Sequence, residues 1–85
     1  MTFDSPDALD RFVTEVRADL EARGFPIAAR RLAEVQGSAH GADSEWLGEL
    51  GAAVKAIRNQ RDLPVDLRNK VEVILGEVRR VLPTL

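Results

Sequence analysis

Apolar residues recur along the chain at steps of three and four, in four blocks set apart by glycine and proline, which is the periodicity of helices that bury one face. The first block is Leu9, Phe12, Val13, Val16 and Leu20, with Asp10, Arg11, Glu15, Arg17 and Glu21 distributed around the rest of the helix. Ahead of it, Ser5 can cap the first turn and Pro6 has a preset φ and no donor to waste. Asp7 adds negative charge where the helix dipole is positive. Gly24 stops the block, which predicts a helix over about 6–23. Phe25 and Pro26 restart the chain, and Ile27, Ala28, Leu32 and Val35 form a shorter stripe that ends at Gly37, for a helix over about 26–36.

Gly37 to Ala42 reads Gly-Ser-Ala-His-Gly-Ala, small and flexible residues that form the longest internal loop. Asp43 or Ser44 then caps a third helix over about 44–60, whose seam is Leu47, Leu50, Val54 and Ile57. Glu45 and Glu49 near its start and Lys55, Arg58 and Arg61 near its end match the helix dipole. Gly48, Gly51 and Ala52 cost helix propensity, about 1 kcal/mol per glycine against alanine, and are expected to let another backbone come close. Leu63-Pro64 breaks this helix, because the residue before proline is pushed out of the α region. Pro64 opens the fourth, over about 64–82. Its stripe runs Leu67, Val71, Ile74, Val78 and Val81, widened by Leu75 and Leu82, until Pro83 ends it. Short connections make sequential helices antiparallel neighbours. The pattern therefore predicts an all-α, single-domain, four-helix bundle with a short second helix and the fourth helix at its centre.

Length and composition narrow the possibilities. At 85 residues the chain has room for one domain with a radius of gyration of roughly 12 Å and a thin stability margin. A hydrophobic fraction of 45% and a charged fraction of 31% are those of an ordered globular chain. The net charge of −2 points neither to polyanion binding nor to an acidic tail. With no cysteine there is no disulfide framework, thiolate zinc site or cysteine nucleophile. Met1 to Phe12 holds three aspartates and no apolar run of signal-peptide length, and no later stretch approaches a membrane span, so a cytoplasmic protein is expected.

The inventory for chemistry is poor. A nucleophile and base could be drawn from Ser38 or Ser44 with the single histidine, His40. All three lie in or beside the glycine-bearing loop, with no third group to orient the imidazole, so His40 reads as a solvent-exposed loop histidine and not as a catalytic base. His40, Asp43, Glu45 and Glu49 contain oxygen and nitrogen ligands, with Glu45 and Glu49 four apart on one helix face. Carboxylate-bridged metals in bundles take ligands from facing helices, commonly with a Glu-x-x-His pair, and the chain has none. A solvated acidic first turn explains the same residues. No catalytic residue, cofactor or metal is therefore expected.

Read as a helix-turn-helix, the second and third helices are joined by too long a loop, and the would-be recognition helix opens with Asp43, Glu45 and Glu49, which would meet phosphates with negative charge. Arg30, Arg31, Lys55, Arg58, Arg61, Arg79 and Arg80 are interleaved with acids. They read as solvated faces with ion pairs such as Asp7 with Arg11, Asp19 with Arg23 and Arg30 with Glu34.

What remains is association. Trp46, the only tryptophan, forms an edge with Leu50 and Ala53 beside the flexible loop. It either caps the end of the core or is a partly exposed anchor of the kind enriched in interface hot spots. Val65, Val73 and Leu75 lie outside the narrow seam of the fourth helix, wide enough to touch two neighbours, one of which could belong to a second copy. The expected interface is accordingly Trp46, Leu50, Val65, Val73 and Leu75, in a homodimer or against another protein, without a membrane or small-molecule substrate.

From Gly24 through Leu82, about two thirds of the chain, the order of features resembles a class of short bacterial helical-bundle proteins that carry no assigned activity. The features are Gly24, then Ala28, Ala29 and Leu32, the small-residue loop, the segment Ser44-Glu45-Trp46-Leu47-Gly48-Glu49-Leu50, and Leu63-Pro64 opening a terminal helix. In that class the third helix starts with Ser or Thr, Glu, an aliphatic pair and Leu-Arg, where this chain has Trp46 and then Gly51. The resemblance implies the fold and a bacterial origin, and brings no site residues. The function expected from the sequence is a non-enzymatic interaction module that self-associates. The alternatives are a small nucleic-acid-associated regulator using Lys55, Arg58, Arg61 and Arg68, and an immunity or antitoxin-like inhibitor of a partner protein.

Overall fold

The computed structural model describes residues 6–38 and 44–82. Among them are four helices and no strand: α1 (Pro6–Ala22), α2 (Pro26–Ser38), α3 (Ser44–Arg58) and α4 (Val65–Val81). Each lies where the apolar periodicity puts it, within two residues at either end. The expected stop at Gly37 is the exception of substance, because α2 runs through Gly37 to Ser38. Ala39 to Asp43, with His40, lie outside the described residues, as do Ser5 and Pro83.

The α1–α2 connection shows why the break falls at Gly24. The Phe25 N–H donates to the Leu20 carbonyl at 2.8 Å and the Gly24 N–H to the Glu21 carbonyl at 3.3 Å, the paired bonds of a Schellman motif. That motif needs a left-handed residue, and Gly24 supplies it with φ +91°. A Cβ there would meet nothing within 4 Å, so glycine is required by the backbone conformation and not by space. The α3–α4 connection instead uses two successive turns, closed by the Gln60 N–H on the Ile57 carbonyl (3.1 Å) and the Leu63 N–H on the Gln60 carbonyl (3.4 Å). Leu63 is buried there and pins the connection to the core.

Side-chain bonds between helices fix their directions. Gln36 near the end of α2 meets Asp10, Thr14 and Arg17 in the first two thirds of α1. Arg23, just past α1, meets Asp66 at the start of α4, and Asp19 meets Lys70 one turn further along. Arg58 at the end of α3 meets Glu72 in mid α4. Neighbours are thus antiparallel, and the chain runs up, down, up and down around a closed ring: α1 packs on α2, α2 on α3, α3 on α4 and α4 back on α1. The Cα radius of gyration is 11.7 Å.

The core fills the centre of that ring. Val13, Val16 and Leu20 of α1, Leu32 of α2, Leu50, Val54 and Ile57 of α3, and Leu67, Val71, Ile74, Leu75 and Val78 of α4 are all fully buried. This arrangement corrects the expectation that α4 sits at the centre. Among the described residues neither diagonal pair of helices packs together, so α4 occupies one corner like the other three. Its wide stripe does touch two neighbours, but they are α1 and α3 of its own chain.

Three smaller expectations also change. A Cβ at Gly48 would meet nothing within 4 Å and Ala52 is exposed, so neither provides close backbone approach, whereas Gly51 is buried. Ile27 is 72% exposed, because it lies about 100° around α2 from Ala28, outside the stripe of Ala28, Leu32 and Val35. Val81 shares the α4 stripe but is the last helical residue, at the end of the bundle, and is 47% exposed.

Candidate interaction surface

The five residues expected to form an interface do not come together. Trp46 is 4% exposed and belongs to the core cluster, while Leu50 and Leu75 are fully buried, so none of the three is available to a partner. Val73 is half-buried, and Val65 is 73% exposed. At about 100° per residue Val65 and Val73 point about 80° apart around α4, and Leu75 lies on a third bearing. Apolar width in the α4 sequence thus reflects burial against α1 and α3 in place of a spare outer face. The core-capping alternative for Trp46 is the one the fold realises.

The charged side chains divide along the seams. On the α1–α4 seam the Arg23 guanidinium holds Asp66 with two bonds, Nη1 to Oδ1 at 3.0 Å and Nη2 to Oδ2 at 2.6 Å, and Lys70 Nζ lies 2.6 Å from Asp19 Oδ2. The hydrogen bond from Arg23 lowers the Asp66 pKa, and the one to Asp19 raises that of Lys70. Both pairs are roughly half exposed, where ion pairs contribute little net stability, and they align the helices more than they hold them. The in-helix pair expected between Asp19 and Arg23 is therefore replaced by two pairs across the seam. Likewise Arg11 Nε reaches the Asp7 carbonyl at 3.5 Å and not its carboxylate, and no ion pair joins Arg30 to Glu34 among the described residues.

Further along α4, the buried Glu77 carboxylate is bonded by Arg80, whose pKa that bond raises. Of the four basic residues set out for nucleic acid, Arg58 lies 3.6 Å from Glu72, and Arg68, partly buried, donates Nη2 to the Gln60 carbonyl at 3.2 Å. Arg68 is thereby committed to tying down the α3–α4 connection.

The α2–α3 seam differs from the others. Small alanine side chains line much of it and leave it open. One hollow of about 460 Å³ is lined by Arg31, Glu34, Val35, Glu49, Ala52 and Ala53. A second, of about 170 Å³, is lined by Ile27, Ala28, Arg31, Ala56, Ile57 and Gln60. Arg31 borders both, so the two form one groove along the face, floored by Ala28, Val35, Ala53 and Ile57 and edged by Ile27 and the exposed Ala52 and Ala56. The larger hollow has the volume of many small-molecule sites, but it is open along its length and would leave a bound molecule mostly in water. Its shape suits an elongated apolar ridge. The sequence signal for it is the triplet Ala52, Ala53 and Ala56 on α3 facing Ala28 on α2, just past Gly48 and Gly51.

Other chemistry finds little support in the described residues. No group of three or more His, Asp or Glu side chains there is placed to hold a metal, and the His40 and Asp43 of the sequence-derived sets lie outside them. No helix among the described residues is long and apolar enough to cross a membrane. Comparison of the chain with family models, with curated proteins and with solved structures finds no match.

Proposed function

We propose that this chain is a non-enzymatic interaction module that works by self-association, as a homodimer. The observation that carries this reading is the α2–α3 face, where an open alanine-floored groove lies beside Ile27, one of the three large apolar side chains left exposed among the described residues. The core inside the ring is already complete, so this apolar surface is not a vacancy in the monomer's own packing. The size is adequate. The chain exposes 5130 Å², of which one of four lateral faces is on the order of 1,000 Å², and a standard interface takes about 800 Å² from each partner. A domain of this size also gains proportionately from burying a face, since it hides only about 60 to 65% of its unfolded surface on its own.

Sedimentation equilibrium across micromolar to millimolar concentrations tests the reading. Weight-average mass rising from one chain of 9.4 kDa toward two is the expected result. A single chain's mass at every concentration would contradict it.

A further inference from the structure

We draw no further inference here: the strongest candidate, the charged rim of the α2–α3 groove at Arg31, Glu34 and Glu49, belongs to the surface already described, and nothing in the structure shows how a partner's charges would cover it.

Discussion

Trp46→Ala is expected to cost about 3–5 kcal/mol of unfolding free energy, the range for removing a large aromatic from a core. Trp46 is 4% exposed and sits in the core cluster with Leu47 and Leu50 of its own helix, at the end of the bundle where α3 begins. Removing the indole opens a cavity that four short helices cannot close, because each touches only its two ring neighbours and none can slide inward without leaving the other. A domain of 85 residues has roughly 4–13 kcal/mol in total at the usual stability per residue. The loss is thus a large share of the whole, and the variant is expected to be partly unfolded at 37 °C. Urea denaturation followed by far-UV circular dichroism reads it. A loss under about 1 kcal/mol would place Trp46 at the periphery and return it to the list of interface anchors.

The second large effect separates two residues of one helix that the sequence treats alike. Leu75→Ala is expected to cost about 2–5 kcal/mol, whereas Val65→Ala should change stability by no more than about 0.5 kcal/mol. Leu75 is fully buried and Val65 is 73% exposed, and neither has a polar atom to complicate the comparison. Both substitutions remove only apolar carbons, three from Leu75 and two from Val65, and the expected gap far exceeds that one-carbon difference, so it reads burial. Equal denaturation midpoints for the two variants would mean that α4 is rotated from the position described.

Much of this architecture could be read from residue order. Gly24 and Leu63-Pro64 mark the two described connections because they act locally: a positive φ and a restricted residue before proline are decided within a few residues. The α4 seam of Leu67, Val71, Ile74 and Val78 is equally direct, since a stripe at three and four spacing has one way to be buried. What the chain order could not decide depends on which helices become neighbours. Asp19 and Arg23 stand four apart, as do Asp66 and Lys70, and each set is compatible with an internal pair. Antiparallel contact of α1 with α4 lets them pair across the seam instead. Trp46, Leu50 and Leu75 were ambiguous for the same reason, because a wide apolar stripe signals either a second neighbour in the chain or one outside it. Alanine hid the α2–α3 groove: Ala53 is core and Ala52 and Ala56 are surface, and the residue type does not distinguish them.

On the proposed reading, this chain meets a second copy through the α2–α3 groove, and not through Trp46 or the outer side of α4. Carbene footprinting of the wild type at low and high concentration, read by mass spectrometry at single-residue level, tests it most directly. Labelling of Ile27, Arg31, Ala52 and Ala56 should fall as concentration rises, while Val65 stays labelled and Trp46 stays protected throughout. Concentration-dependent protection of Val65 with α2 and α3 unchanged would contradict the account.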